Sequence, residues 1–398
     1  MAEAFSIVCL SPQDWREALP TNRQQIMLRA ARQGHQVLFV ETGYFLGRHV
    51  WRLLRHAGRR SLARRLFSTE NVVPGVKARK ALNILPWGSK HGLPNAVNSA
   101  ITARLLRRLA ADLPQPVVLW IYDPRAARVA GSCGEQFAVY DCVDDYAEQT
   151  TSVRRREFIA ACDQAAVRRS RLVFTTSTTM YERQRLLNPE THLVRNAGDY
   201  AHFARAADRS IAAGEVAGLQ TPVVGFAGNF LASKVDFDLL RDVAVKRADW
   251  TLLLIGPAGP GTGVVLDGLA QLPNVVWLGP KPYAELPPYI AAFDVALIPY
   301  VSNAYTRSCF PLKLYEYLAA GKPVVASGLP ELAGMEPDVV LVDGSEAYIR
   351  AIEKELAAPY DAGRERRMRL ASGNTWETRT QRLLGLVERE LAAAELAA

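Results

Sequence analysis

Residues 309–327 read CFPLKLYEYLAAGKPVVAS. A proline, an amphipathic run carrying Lys313 and Glu316, a glycine at 321 and a β-branched run follow one another without a spacer. Pro311 suits the first turn of a helix, where its missing N–H has no intrahelical partner to lose. Gly321 suits the end of that helix, and PVVAS after it reads as a buried strand. Exposed amides at the helix start can hold an anion, with the positive charge of Lys313 beside them. Glu316, one turn on, faces the same side and can accept hydrogen bonds from paired ribose hydroxyls. Together these fit a nucleoside diphosphate. The plain alternative is a surface helix with a Lys/Glu pair at i, i+3.

The same strand–helix–strand alternation extends outward in both directions. Toward the N-terminus lie VALIPY (295–300), NVVWLG (274–279), TLLLIG (251–256) and VVGFAG (223–228), with DFDLLRDVAVKRA (236–248) as an intervening helix. An earlier series consists of FSIVCL (5–10), QVLFVE (36–41), PVVLWIYD (116–123), QFAVYDCVD (136–144) and LVFTTS (172–177). Helical stretches such as NRQQIMLRAARQG (22–34) and RRREFIAACDQAAVRRS (154–170) separate them. Continuous apolar strands alternating with helices predict parallel sheets covered on both faces. The segment HFARAADRSIAAGEVAGLQTP (202–222) is polar and rich in small residues, and reads as a linker. The expected organisation is therefore an α/β chain of two doubly wound, Rossmann-like domains facing a central cleft. Residues 1–205 form the first domain, 206–220 the linker, 221–372 the second domain, and 373–398 a closing helix that returns toward the first. Ligands in such sheets bind outside the carboxyl ends of the strands, so the loops after each strand are where chemistry is expected.

A chain of 398 residues is too long for one core. With 49% hydrophobic and 22% charged residues it has the composition of a soluble globular protein. No apolar run approaches the ~20 residues of a spanning helix. MAEAFSIVCL, with Glu3 and no basic residue before its short apolar run, reads as a first strand rather than a secretory signal. The five cysteines form no CxxC pair and read as free thiols of a reducing cytoplasm. The six histidines show no metal spacing, and His35 and His202 read as structural. GPAGPGTG (256–263) lacks the lysine of a phosphate loop and reads as a flexible turn.

Charge is unevenly placed. Residues 1–110 hold 18 Lys and Arg against 5 Asp and Glu, while the whole chain carries only +8. In RHVWRLLRHAGRR (48–60), Arg48, Arg52, Arg55 and Arg59 form one helical stripe opposite Val50, Leu53, Leu54 and Ala57. Such a helix suits docking on anionic lipid, at ~1 kcal/mol per charge near the surface. A solvated basic face on a core-packed helix is the alternative. No nucleic-acid-binding module accompanies the charge, so nucleic acid is not an expected partner.

DCVDDY (141–146) brings Asp141, Asp144 and Asp145 to a strand end. Grouped carboxylates serve a metal or a general base whose pKa is raised by crowding. Asp144 reads as the base or binder of a substrate hydroxyl, ahead of a helix N-cap, with Asp145 on the same side. Asp123, at the end of the neighbouring strand, has a comparable claim. Asn22 and Arg23, after the first strand, open on the same region, although capping alone would explain Asn22. Gly279 lets the backbone approach a nucleotide base, since no side chain intervenes.

The stretch 311–327 resembles the C-terminal signature of GT-B glycosyltransferases of the family-4-like kind. Within them it is most similar to the group typified by teichuronic acid biosynthesis glycosyltransferases. WIYDP (120–124), VYDCVDDY (139–146), NAGDYAHF (196–203), FAGNFLASKVDFDLL (226–240), LLLIGP (252–257), WLGPKPYAELPPYIAAFDVALIPY (277–300) and NTWETRTQRLL (374–384) follow in the order this family has them. The resemblance implies a metal-independent, hexosyltransferase-type enzyme of cell-surface polysaccharide biosynthesis. It would need no cofactor beyond a nucleotide diphosphate-sugar as co-substrate, and its acceptor would be a saccharide or a lipid-linked saccharide. It would be cytoplasmic, peripheral on the inner face of the plasma membrane. The resemblance assigns the donor ribose to Glu316 and the donor phosphates to Lys313 and Leu312, with Pro311 leading into the same turn. The chain departs from the family at two places. Ser308 stands where a second glutamate usually holds the sugar, which leaves Arg307 and Ser308 as sugar contacts and the stereochemical outcome open. The usual Arg-Lys pair of the first C-domain loop is reduced to Asn229 and Lys234. Two alternatives share the fold: a nucleotide-sugar 2-epimerase, and a non-catalytic nucleotide-sugar-binding scaffold.

Overall fold

The computed structural model describes residues 4–16, 20–47, 66–88, 90–359 and 361–397. The chain divides into two compact units, one of Met1–Arg195 with Arg379–Ala398 and the other of Asn196–Thr378. Arg48, Arg52, Arg55 and Arg59 lie outside the described residues.

The first unit is built on strands β1 (Ser6–Ser11), β2 (Gln36–Phe45), β3 (Glu70–Val73), β4 (Val76–Asn83), β5 (Val117–Ile121), β6 (Phe137–Cys142), β7 (Leu172–Thr175) and β8 (Thr191–Leu193). Their spatial order is β3-β4-β2-β1-β5-β6-β7-β8, parallel except for the antiparallel β3–β4 pair at one edge. The strands β1, β5 and β7 are buried along their whole length, as helices on both faces require. On one face Val8, Leu10, Leu119, Ile121 and Tyr140 pack with Leu106 of the Gly92–Ala110 helix and Val167 of the Val153–Arg169 helix. Strand order reverses between β1 and β5, which makes their carboxyl ends the switch point of this sheet.

The second unit holds β9 (Val223–Ala227), β10 (Thr251–Ile255), β11 (Val275–Trp277), β12 (Val295–Pro299), β13 (Val324–Ser327) and β14 (Val339–Leu341), all parallel. Their order is β11-β10-β9-β12-β13-β14. Counted within the unit this is 3-2-1-4-5-6, the dinucleotide-fold order, with its switch point between β9 and β12. The doubly wound α/β fold read from the sequence is present in both units.

Three local readings change. The segment 202–222 is not a bare linker: it folds into short helical turns at Tyr200–Phe203, Ala204–Ala207, Arg209–Ile211 and Gly214–Ala217. The chain joins the second unit already at Asn196, whose side chain donates to the Phe310 carbonyl at 2.6 Å. The turn 256–263 does open a helix, Gly263–Leu269, with the Thr262 hydroxyl donating to the Phe230 carbonyl at 2.7 Å. Finally, the helix after Pro311 begins two residues later and runs from Lys313 to Ala319. It ends as expected: Gly321 adopts φ +70°, its N–H bonds the Leu318 carbonyl, and the Lys322 N–H bonds Tyr317. That is a Schellman closure, and it turns the chain directly into β13.

Candidate active site

In the second unit the site is rooted at the switch point. The Tyr317 hydroxyl, buried under the Lys313–Ala319 helix, accepts from the Ala227 N–H at 2.8 Å and donates to the Ala227 carbonyl at 3.3 Å. This fixes the helix to the last residue of β9. Gly228 follows, and a Cβ there would lie 2.4 Å from Lys313 Cε and 2.7 Å from Phe226 Cζ. Glycine at 228 is therefore what lets the lysine cross the strand end.

Lys313 Nζ lies 4.0 Å from Glu316 Oε2, with about a fifth of the lysine side chain and an eighth of the glutamate's exposed. Burial pulls the Lys313 ammonium below the usual lysine range, Glu316 opposes that, and the like charge of Lys234 adds to it. Lys234, whose ammonium sits 5.0 Å over the Tyr305 ring, is thus a neighbour of Lys313 and not a remote surface lysine. Burial likewise pushes the Glu316 carboxyl up, against the pull of Lys313 and His202 and with a further push from Asp199. Two cations and a carboxylate converge on the carboxyl end of β9.

His202 is a residue the sequence reading left as structural. Its Nε2 is 2.9 Å from the Tyr283 carbonyl, and its ring stacks on Tyr283 at 5.0 Å and 17°. The short turn that carries it packs on the helix, because a Cβ at Gly198 would lie 2.8 Å from Tyr315 Cβ. Gly279 is open around its Cα, so its backbone conformation, φ +66°, requires the glycine rather than a close approach. Asn229 is exposed beside Gly228, Leu312 is half-buried as the N-cap, and Pro311 is buried. Arg307 is exposed, but Ser308 is buried and its hydroxyl donates to the Tyr305 carbonyl at 3.1 Å. Of the two residues expected to contact a sugar, only Arg307 reaches the surface.

In the first unit the strand-end carboxylates are sorted by their partners. Asp141 is fully buried and pairs with Arg379 at 3.4 Å. Asp145 pairs with Arg183 at 2.7 Å. Asp123 is held by Arg125 through both oxygens, at 2.7 and 2.9 Å, and caps the turn that follows it. Asp144 alone among the four is half-exposed, and its charge helps to keep Arg23 protonated. The expected cluster is thus divided, and Asp144 is no helix cap either, since the next helix is capped at Ser152.

Arg23 is buried over the Tyr122 ring, donates to Gln13 Oε1 at 2.8 Å and bonds the Tyr146 hydroxyl. Asn22 is buried as the first residue of the Asn22–Arg32 helix, and the capping role falls to Thr21, reciprocated by Gln24. Arg23, Tyr146 and Asp144 thus come together at the end of β1 and β6. The tyrosine was not singled out by sequence, although it closes the same DCVDDY stretch.

Residues 221–357 match the family described as Glycosyl transferases group 1. Over 276 residues the chain is 31% identical to TuaH of Bacillus subtilis (strain 168), whose name places it among the teichuronic acid biosynthesis glycosyltransferases; the match covers 65% of this chain and 68% of that protein. Among solved structures, sucrose-phosphate synthase from Thermosynechococcus elongatus superposes with a TM-score of 0.73 at 18% identity, over 98% of this chain and 100% of the other. Anabaena Alr3699/HepE in complex with UDP and glucose gives 0.67 at 16% identity, over 96% and 98%. At such identities the two structures speak for the fold.

Proposed function

The chain belongs to the group 1 glycosyl transferases and is a glycosyltransferase of polysaccharide biosynthesis, and we propose that it transfers a hexosyl group from a nucleoside diphosphate-sugar without a metal or other cofactor. The observation that carries this reading is the convergence of Lys313, Lys234 and Glu316 at the switch point of a 3-2-1-4-5-6 sheet. The lysines take the diphosphate and Glu316 the ribose hydroxyls; Arg307, Asn229 and the backbone at Leu312 and Gly279 border the same site. Anabaena Alr3699/HepE, of the same fold, was solved with UDP-glucose, which supports a nucleotide-sugar as donor. The acceptor is a saccharide or lipid-linked saccharide taken by the first unit, at the inner face of the plasma membrane. The sequence stripe of Arg48, Arg52, Arg55 and Arg59 supports that placement.

In the transfer the bond from the anomeric carbon to the diphosphate oxygen breaks and its electron pair leaves with the nucleoside diphosphate. A bond from the acceptor oxygen to the anomeric carbon forms, and the acceptor proton passes to the Asp144 carboxylate. Lys313 and Lys234 neutralise the charge that develops on the leaving oxygen, the kind of fixed charge that contributes most in such sites.

The test is a thermal-shift panel of nucleoside diphosphates and their sugars on wild type and Glu316→Ala, since a ligand bound far above its Kd stabilises the fold by several kcal/mol. One nucleotide should raise the wild-type Tm and leave the variant's unmoved; no shift with any of them at millimolar concentration would remove the donor-site reading. Turnover that requires an added acceptor separates transfer from epimerisation.

Gly228→Ala supplies a second check. Overpacking of this kind costs ~1–3 kcal/mol of stability; the added methyl also displaces Lys313, and loss of one well-placed charge contact worth ~1.4 kcal/mol should lower nucleotide affinity about tenfold. Titration calorimetry should show that Gly228→Ala costs less affinity in a Lys313→Ala background than in wild type, because the clash with Lys313 is then gone and only that with Phe226 remains. Additive losses would mean that Gly228 works by another route.

A further inference from the structure

The first unit exposes a group of large apolar side chains that the transfer reaction does not use. Trp87 is 65% exposed, Leu93 77%, Ile84 51% and Val97 39%. They are neighbours in space. The buried Asn98 side chain accepts from the Ile84 and Leu85 N–H groups at 3.0 Å each and donates to the Leu85 carbonyl at 2.9 Å. A Cβ at Gly88 would lie 2.6 Å from Asn98 Nδ2. The loop after β4 is therefore folded onto the first turns of the Gly92–Ala110 helix.

Trp87 has φ +59°, the one non-glycine residue with positive φ among the described residues. For a bulky side chain that backbone is disfavoured, and here it presents an indole to solvent instead of burying it. Leu93, Val97, Ala100 and Arg104 are all exposed and, at i, i+4, i+7 and i+11, form one stripe that passes from apolar to basic. From Asn71 to Ala110 the sequence holds seven Lys and Arg and no Asp or Glu. Apolar patches on protein surfaces mark contacts; an aromatic tip on a segment whose own charges are all basic suits an anionic lipid surface, although Lys80 of that segment is paired with Asp14 and Glu41.

We propose that the face formed by Ile84, Trp87, Leu93 and Val97 docks on an anionic bilayer, with Trp87 and Leu93 entering the headgroup layer and Lys90 and Arg104 on its charge. This shares its target with the membrane placement argued from the basic stripe and rests on it in that respect, but it assigns the apolar contact to a different segment and needs nothing of the donor site.

The experiment is sedimentation of the full chain with vesicles of phosphatidylglycerol and phosphatidylcholine, and with phosphatidylcholine alone. Wild type should partition to the anionic vesicles, and Trp87→Ser/Leu93→Ser should lower that partition about tenfold with the Tm unchanged. Brominated lipid should quench wild-type fluorescence more than that of Trp87→Phe, which isolates Trp87 among the seven tryptophans. If the double variant binds as wild type does, the apolar face is not the contact and the basic stripe alone accounts for binding. If wild type binds neither vesicle, both membrane readings fail. A wild-type dimer in solution that the double variant abolishes would overturn the proposal in favour of a second copy as occupant.

Discussion

Lys313→Ala should lower kcat for sugar transfer by about 10²–10³, the loss typical when one charge-stabilising group is removed from a developing oxyanion. The ammonium lies 4.0 Å from Glu316 and feels the like charge of Lys234, and Lys313 is the cation whose side chain crosses the strand end at Gly228. Lys234→Ala should cost less, because that lysine is also held over Tyr305 and Lys313 remains. Lys313→Arg should restore little, because a guanidinium is not a compact point charge. The pH profile gives an independent reading. Burial holds Lys313 below the ordinary lysine value of 10.5 in the free protein, so the alkaline limb of kcat/KM should fall short of that value in wild type and disappear in Lys313→Ala. A variant within threefold of wild-type kcat would show that the leaving group is stabilised elsewhere.

The second large effect is on stability. Asp141 and Arg379 form an ion pair in which both side chains are essentially inaccessible, and Arg379 also donates to the Arg195 carbonyl at 2.7 Å. Burial pushes the Asp141 carboxyl up and the Arg379 guanidinium down, and each charge is kept by the other. Arg379→Met should therefore cost about 3–5 kcal/mol, the usual result of leaving one buried charge unpaired. In a unit of this size that corresponds to a fall in Tm of roughly 6–20 °C. Asp141→Asn with Arg379→Met should recover part of the loss, since the double variant leaves no bare charge. Calorimetry decides it: a fall of under 2 °C for Arg379→Met would mean that water already reaches the pair.

The same pair illustrates what the sequence could and could not reveal. The strands VVLWI, VVGFA, TLLLI and VALIP were legible because a strand buried on both faces has to be apolar throughout, which the composition alone displays. β4, VKARKALN, was not: it alternates small apolar with basic residues and lies next to the edge, so it carries no continuous run. Lys313 and Glu316 were legible because they are three residues apart on a helix with a defined stop. His202 was not, because it reaches Glu316 through the packing of Gly198 on Tyr315, far away in sequence. Grouped aspartates read as one site, yet the arginines that separate them, Arg125, Arg183 and Arg379, come from three different distances along the chain. Arg125 is two residues from Asp123, but pairing across 38 residues to Arg183 or 238 to Arg379 leaves no local pattern.

The division of the chain has a consequence for its birth on the ribosome. The second unit is a continuous segment, Asn196–Thr378, and is complete as soon as its last residue emerges. The first unit begins earlier but is finished later, because Arg379 and the remainder of the Trp376–Ala397 helix belong to it. Until that helix is released, Asp141 waits in a nascent sheet without its counter-charge. Synthesis therefore reverses the usual order in which N-terminal domains mature first, and a chain cut short before Arg379 carries a complete second unit attached to an unfinished first.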